Sequence, residues 1–416
     1  MRSERNFLYS KIAFFLLSVT LLIGFFFNEE SSGSGGFIAD FNNTWGYVEV
    51  LKESFFVLPS KWVAHTPLHF IIISKVYMFV ESKYFIRLIF CSISILIPFL
   101  FYLCLKVNYP NEKKEHLLAL ASLTFLFPSF RSGAIWANDH ITALFFFLLF
   151  LIFFLKWRKD SNFKLLTTNI YLQIIFLALA VYTRQYYVLI YIYCMYIYFR
   201  KLSLLNFFKL SFIIFILAIP GFFLIYYDPF LLKVTFDTKL YNTVLISSSI
   251  LSFYLIPIFF VVLFLNKDKF KFNKNRQLIF ILISVLAVLL MSAFFNYNHK
   301  IGGGYFLKLS YLLVNNNILF LITSIIGFVL LFNLAQEDSD NILIIFLLIF
   351  GFSAYMIFQK YFEPMFFFIL FLMIKTNITK IFLKNINNIY FLFFYLSIYL
   401  VTAIVNDVYK ITKTVL

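Results

Sequence analysis

Asp40 is the first residue in this chain whose type and position could do chemistry. A carboxylate next to a water-excluding surface can act as a general base toward a hydroxyl group. Asp40 begins a polar stretch that continues through Asn42, Asn43 and Glu49. Aspartate is also favoured directly before a helix, and a helical pattern follows Asp40. The sequence therefore supports two interpretations of this residue, a general base and a helix cap.

Arg184 and Gln185 interrupt two apolar runs, and no other charged residue lies near them in the sequence. A guanidinium in such a place needs an anionic partner, and its planar fork suits a phosphate group. The alternative is that the Arg184 side chain extends to the membrane surface. Asp139 stands at the start of a predicted helix, where it could cap that helix or act as a functional carboxylate. Arg131 ends the Phe-Pro-Ser-Phe-Arg segment that precedes it.

A second group of polar residues occurs in the last third of the chain. His299 and Lys300 precede three glycines at 302–304. Glycines allow backbone N–H groups to approach a phosphate closely. Glu363 stands at the start of a late apolar run. Ionisable groups at membrane depth are costly to bury, so each of these residues is a functional candidate.

The elements that must position these residues are predicted to be membrane-spanning helices. Hydrophobic residues make up 62% of the 416 residues and charged residues only 13%, whereas a soluble domain has about 25% charged residues. A helix needs about 20 apolar residues to cross a bilayer. The sequence predicts an all-α, polytopic transmembrane helical bundle with about 11–14 spans. It predicts a single integral membrane domain over residues 1–416.

The basic residues predict how the chain is oriented in the membrane. The net charge of +16 is spread over short loops and forms no continuous basic face, which argues against nucleic acid as a partner. Loops rich in lysine and arginine favour the cytoplasmic side. The candidate residues then fall into loops on the opposite, external side. This shared sidedness predicts a single external active site.

The first external loop, residues 29–83, is the longest segment outside the predicted spans. It is predicted to contain two interfacial helices, over residues 44–56 and 66–80, the second with Pro67 in its first turn. The three cysteines lie in apolar segments without CxxC spacing. That pattern argues against a disulfide framework and against a zinc site.

Taken in order, these residues resemble the GT-C class of integral-membrane glycosyltransferases. Within that class the chain is most similar to the dolichyl-phosphate-glucose-dependent α-glucosyltransferases. The resemblance covers about residues 37–370, and its matching pieces are Asp40, Trp62 with Thr66-Pro67, Phe127-Pro128 with Asp139, Arg184-Gln185, His299-Lys300 and Glu363. The chain departs from the family at Phe41, where the family has a glutamate, and at Tyr186-Tyr187, where it favours Thr-Asn. These departures leave the sugar and the acceptor open.

The resemblance implies inverting transfer of a sugar from a polyprenyl-phosphate donor to a hydroxyl of a glycan or glycolipid acceptor. It implies a site that faces outside a bacterial inner (plasma) membrane or the lumen of the endoplasmic reticulum. It allows a divalent cation, Mg²⁺ or Mn²⁺, without requiring one. The implied roles are general base for Asp40; orientation of the acceptor or a metal for Asp139, Glu49 and His65; donor-phosphate binding for Arg184, Gln185, His299 and Lys300; and further site candidates in Arg131 and Glu363.

Two other classes of membrane protein stay open at this point. An O-antigen-type polysaccharide polymerase is also polytopic and dependent on arginine, but it typically has its long external loops late in the chain. A flippase or transporter of lipid-linked sugars typically has internal repeats and charges near the bilayer midplane. The present sequence has no internal repeat, and its longest predicted loop comes first.

Overall fold

The computed structural model describes residues 2–32, 36–54, 57, 65–160, 167–235, 238–265, 274–354 and 356–415. Every regular element in these ranges is a helix, which confirms the all-α fold class. Trp62, one of the residues that carry the family resemblance, lies outside the described ranges. The chain forms two compact units. Unit 1 contains the described residues up to Leu232 and those from Leu396 onward, and unit 2 contains those from Lys233 to Tyr395.

The described residues of unit 1 form eleven complete α-helices, most of them joined by short connections. They are α1 (Arg2–Phe26), α2 (Gly36–Glu53), α3 (Leu68–Val80), α4 (Lys83–Ser94), α5 (Leu96–Asn108), α6 (Lys114–Ser122), α7 (Pro128–Ile135), α8 (Asp139–Lys159), α9 (Thr168–Thr183), α10 (Val188–Lys201) and α11 (Leu204–Tyr227). The described helices of unit 2 follow, together with α12 and α20, which each contain a boundary between the units. They are α12 (Phe230–Thr235), α13 (Leu240–Leu265), α14 (Lys274–Ser292), α15 (Gly304–Val314), α16 (Ile318–Ala335), α17 (Ser339–Phe350), α18 (Met365–Leu372), α19 (Asn377–Leu383) and α20 (Ile386–Val415).

The helix lengths indicate an integral membrane protein with fewer spans than the sequence predicts. Among the described residues, eight helices are long and apolar enough to cross a membrane, or up to ten if each of two bent helix pairs forms one span. The predicted 11–14 spans exceed the number of such helices among the described residues. Several apolar runs form short helices instead: α9 has 16 residues and α17 has 12. At 1.5 Å per residue these helices rise only about 24 and 18 Å, less than the ~30 Å hydrocarbon core.

The described residues of the predicted first external loop form two helices, but the first begins earlier than the sequence predicts. Helix α2 starts at Gly36 rather than near residue 44, and α3 starts at Leu68. Asp40 therefore lies inside α2, so its interpretation as a helix cap is wrong. Glu30 caps the start of α2 instead. Its Oε2 atom accepts hydrogen bonds from the N–H groups of Phe37 (3.0 Å) and Ile38 (3.2 Å).

Arg131 has a structural role in unit 1. Its Nε and Nη2 atoms donate to the two carboxylate oxygens of Glu29, at 2.7 and 2.5 Å. Nη2 also donates to the backbone oxygen of Thr20 at 2.9 Å. A Cβ atom at Gly24 would lie 2.3 Å from Glu29 Oε2, so the approach of this carboxylate requires glycine there. The ion pair fastens α7 to the end of α1.

Unit 2 has its closest helix packing between α13 and α16. A Cβ atom at Gly327 would lie 2.1 Å from the backbone oxygen of Ser248, so the two helix backbones touch at this glycine. The Ser324 hydroxyl donates to the backbone oxygen of Leu245 at 3.0 Å. Small residues and interhelical hydrogen bonds of this kind are typical of helix packing in membranes.

Candidate functional site

Unit 1 contains a cavity of about 130 Å³ between α2, the start of α3 and the junction of α7 with α8. Its lining includes Asp40, His65, His69, Trp136, Asn138 and Asp139. Three residues with predicted site roles, Asp40, His65 and Asp139, thus line one space. The cavity is larger than the ~30 Å³ that one water molecule occupies in the liquid but smaller than the ~300–1,000 Å³ of typical small-molecule pockets. It accommodates part of a sugar rather than a whole glycan.

The junction between α7 and α8 places Asp139 at the cavity. Ala137 has a left-handed φ of 44°, which turns the chain sharply after Trp136. Asn138 then caps α8, since its side-chain oxygen accepts a hydrogen bond from the N–H of His140 at 3.0 Å. The proposed cap role of Asp139 therefore belongs to Asn138. Asp139 becomes the first helical residue, and its side chain lines the cavity.

Arg184 is the partner of Asp139. Its Nε atom lies 3.0 Å from Asp139 Oδ2, with the arginine side chain fully buried and the aspartate 3% exposed. The interpretation that Arg184 extends to the membrane surface is wrong. The anion beside Arg184 is a carboxylate of the chain itself, and the residue is absent from the cavity lining. Its predicted role in binding a donor phosphate stays a prediction.

Two further contacts hold the Arg184 guanidinium. Its Nη1 atom donates to the Tyr186 hydroxyl at 2.8 Å. Its Nη2 atom lies 3.3 Å from His65 Nε2. Because a guanidinium only donates hydrogen bonds, His65 Nε2 accepts this one, and a neutral His65 then carries its proton on Nδ1. His65 is 25% exposed and stands at the cavity, 3.9 Å from Asp139 Oδ2.

His69 is a buried structural histidine that sequence reasoning missed. Its Nε2 atom donates to the backbone oxygen of Ala137 at 2.9 Å, and its Nδ1 atom accepts from the Thr142 hydroxyl at 2.8 Å. Burial lowers the pKa of His69 to about 4, so the imidazole stays neutral near pH 7. The residue is in α3, outside the candidate membrane spans, and it ties α3 to the α7–α8 junction. Its spacing of four residues from His65 is the signal that could have identified it.

Arg87 was also missed, although it is an isolated charge inside an apolar run. Its guanidinium carbon lies 3.6 Å from the ring centroid of Trp136. Its Nε atom donates to the backbone oxygen of Ile135 at 3.0 Å, and its Nη2 atom to the Asn28 side chain at 2.8 Å. These contacts fix the orientation of Trp136 in the cavity wall.

Glu49 and Gln185 do not line the cavity. The exposed Glu49 carboxylate accepts a hydrogen bond from the indole N–H of Trp45 at 3.0 Å, on the same helix. Gln185 lies in the 3₁₀ turn Gln185–Tyr187 that follows Arg184. These positions do not test their predicted roles in acceptor orientation and phosphate binding.

His299, Lys300 and Glu363 belong to unit 2. The His299 ring stacks on Tyr311 with centroids 3.7 Å apart, and Lys300 is exposed. Glu363 is fully buried, and its Oε2 atom accepts a hydrogen bond from the Tyr254 hydroxyl at 2.9 Å. The predicted convergence of His299 and Lys300 with Asp40 stays a prediction.

The three glycines after Lys300 share one backbone conformation. All three have a left-handed φ, of 77°, 78° and 80°, which favours glycine. The N–H of Gly303 donates to the backbone oxygen of Ile357 at 2.7 Å. That N–H is therefore engaged within the chain rather than directed at a ligand.

A metal site was left open by the sequence. Among the residues that the structure describes, no group of three or more histidine, cysteine, aspartate or glutamate side chains is arranged to hold a metal ion. Cys91, Cys104 and Cys194 are buried free thiols. Comparison with protein-family models, with curated proteins and with solved structures finds no match to this chain.

Proposed function

We propose that the protein is an inverting membrane glycosyltransferase that moves a sugar from a polyprenyl-phosphate donor to a hydroxyl group of a glycan or glycolipid acceptor. The observation that carries this proposal is the cavity of unit 1, which two carboxylates in different surroundings line together. Asp139 is buried and ion-paired with Arg184, whereas Asp40 is only half-buried. Two carboxylates that differ in burial and pairing in this way are suited to different chemical roles.

Asp40 is proposed to act as the general base. The acceptor O–H bond breaks, and the proton passes to the Asp40 carboxylate. The acceptor oxygen forms a bond to the anomeric carbon of the donor sugar on the face opposite the phosphate. The bond from that carbon to the phosphate oxygen breaks, and its electron pair leaves with the lipid phosphate. Because a phosphate is already a good leaving group, the reaction needs charge stabilisation more than it needs a general acid.

The position of Asp40 on α2 supports this role. Glu30 holds the start of α2 through the N–H groups of Phe37 and Ile38, which lie about one turn before Asp40. Phe41 and Trp45, on the next turns of the same helix, are buried and pack against each other with ring centroids 5.1 Å apart. A base on a fixed helix beside an apolar wall is held in one place relative to a bound hydroxyl.

The donor phosphate has its proposed partners in His299 and Lys300, on the grounds of sequence alone. Arg184 is a weaker candidate for direct phosphate contact, because its guanidinium already faces Asp139, His65 and Tyr186. The proposed partners of the protein are a lipid-linked sugar, a glycan or glycolipid acceptor, and membrane lipids.

The test is the release of polyprenyl phosphate, a product that does not depend on the identity of the acceptor. Purified protein is given polyprenyl-phosphate hexoses together with glycan acceptors extracted from the host membranes, and lipid products are identified by mass spectrometry. The wild-type protein should release polyprenyl phosphate. Asp40→Asn should lower the rate about 10²–10⁴-fold, the usual contribution of a general base. Glu53→Gln is the matched control, because Glu53 is on the same helix but does not line the cavity.

Three outcomes would contradict the proposal in different ways. Equal rates for wild-type and Asp40→Asn protein would remove Asp40 as the base. Release of a polyprenyl diphosphate from a diphosphate-linked oligosaccharide would favour a polymerase. Movement of intact lipid-linked sugar between leaflets of a vesicle, without product formation, would favour a flippase. Size-exclusion profiles of each variant control for misfolding.

A further inference from the structure

Asp139 brings to the cavity a carboxylate oxygen that the described part of the chain does not satisfy. Its Oδ2 atom is ion-paired with Arg184 at 3.0 Å. Its Oδ1 atom is buried and accepts no hydrogen bond from any described residue. Buried polar atoms in proteins are nearly always hydrogen-bonded. A hydrogen-bond donor from outside the chain is therefore expected at Oδ1.

The cavity limits what that donor can be. Asp40 and Asp139 line the same space of about 130 Å³, which is less than half the volume at which small-molecule pockets usually begin. A ligand small enough for this space can meet both carboxylates through neighbouring polar groups. Phe41, Trp45 and Trp136 line the same cavity, and apolar or aromatic walls with a few placed polar groups are typical of small-molecule sites.

The two carboxylates are suited to different tasks on such a ligand. Asp139 is the first residue of α8 and its carboxylate is ion-paired with Arg184, so its Oδ1 atom is a fixed hydrogen-bond acceptor. Asp40 is only half-buried where it lines the cavity, so its carboxylate is more accessible than that of Asp139. One group therefore orients the ligand, and the other takes its proton.

We propose that the acceptor presents two neighbouring hydroxyl groups of one sugar ring to this cavity. The first loses its proton to Asp40 and bonds to the anomeric carbon of the donor, while the lipid phosphate leaves with its electron pair. The second donates a hydrogen bond to Asp139 Oδ1 and is unchanged by the reaction. This inference rests on the proposed transferase function, and it assigns the acceptor to sugars with a free vicinal diol.

Binding can be measured without the transfer reaction. Saturation-transfer NMR with the purified, detergent-solubilised protein would use the methyl α-pyranosides of glucose, mannose and galactose, which together present cis and trans diols. Monodeoxy analogues of each sugar remove one hydroxyl at a time. At least one parent glycoside should bind, and the loss of one hydroxyl of its diol should weaken binding about tenfold, the usual effect of a hydrogen bond to a charged group.

Variants of the protein locate the effect. In Asp139→Asn, removal of that same hydroxyl should change affinity less than twofold, whereas Glu53→Gln, at an exposed residue of α2 that does not line the cavity, should retain the tenfold loss. Asp139→Asn leaves the Arg184 charge without its carboxylate and can unfold the chain. The deoxy analogues measured on wild-type protein are then sufficient by themselves, since they alter only the ligand.

The results separate this inference from the transferase proposal. If no parent glycoside binds, or if no single deoxygenation weakens binding more than twofold, the diol assignment is overturned and an ordered water is the donor to Oδ1. Efficient transfer to acceptors that lack a neighbouring hydroxyl overturns the diol assignment and leaves the transferase proposal standing. Diol-dependent binding without any release of polyprenyl phosphate supports the site and contradicts the transferase proposal.

Discussion

Replacing one member of the Asp139–Arg184 pair should destabilise the protein far more than replacing both. The two side chains are 3% and 0% exposed and lie 3.0 Å apart. Removing one partner leaves an uncompensated buried charge, which costs about 3–5 kcal/mol. At about 2–4 °C per kcal/mol for a unit of this size, Asp139→Asn and Arg184→Gln should each lower the Tm by about 6–20 °C. The double variant carries neither charge, and its Tm should fall by less than about 4 °C.

The assay is thermal unfolding of the detergent-solubilised protein, followed by tryptophan fluorescence in identical micelles. The pair Lys52–Glu81 is the control in the same unit, because its atoms lie 3.5 Å apart but both side chains are exposed. Lys52→Gln should change the Tm by about 2 °C or less, since exposed ion pairs contribute about 0.2–1 kcal/mol. Single-variant shifts below 3 °C, or shifts that simply add in the double variant, would refute a buried ion pair.

Three further substitutions probe packing, helix capping and titration. Gly327→Ala places a Cβ atom 2.1 Å from the Ser248 backbone oxygen, which is 1.3 Å closer than the 3.4 Å of ordinary contact. This substitution should lower the free energy of unfolding by about 1–3 kcal/mol. Gly221→Ala is the control in the same thermal assay and should be neutral, because its Cβ would lie 3.5 Å from its nearest neighbour. Glu30→Gln weakens the acceptor at the start of α2, so hydrogen exchange there should accelerate by about tenfold, equivalent to ~1.4 kcal/mol. The folded pKa of His69 is about 4, below the unfolded 6.5, so its contribution is present above pH 6.5 and lost as the pH falls toward 4. That loss amounts to about 3 kcal/mol, and His69→Gln should flatten the decline in Tm between pH 6.5 and 4.5.

The fold class followed from composition, because too few charged residues are present to cover a water-facing surface. The number of spans did not follow, because hydropathy does not show where a helix stops. Pro128 illustrates the reason. It begins α7 after an extended Phe127, and the two arms of the resulting bend differ in direction by 67°. An apolar run that reads as one span is thus divided into two short helices.

The start of α2 shows a second limit of prediction from sequence. Glycine is unfavourable in helices, so the glycine-containing segment that ends at Gly36 predicts a helix that begins later. The chain nevertheless begins the helix at Gly36. The compensation comes from Glu30, whose carboxylate accepts from the first N–H groups of α2 across a turn. A cap supplied six residues before the helix is not visible in local propensity.

The candidate site was predicted in part. Asp40, His65 and Asp139 were selected from loops that are predicted to be external, and they line one cavity. The contact of Arg184 with Asp139 was not predicted, and Asp139 lies 45 positions earlier in the chain. No spacing rule connects residues so far apart, since their approach depends on how α8 packs against α9. His69 escaped notice because it is surrounded by apolar neighbours in the sequence.

Three buried polar contacts around the cavity explain how it can hold a defined shape. Arg87 fixes Trp136, and His69 fixes the backbone at Ala137. Arg184 fixes Asp139. These contacts join α3, α4 and the residue after α9 to the junction of α7 with α8, so this side of the cavity is held by buried polar contacts. Rigid support of this kind keeps reacting groups at one separation. For a reaction that requires only proton removal and charge stabilisation, fixed placement is the main contribution a protein can make.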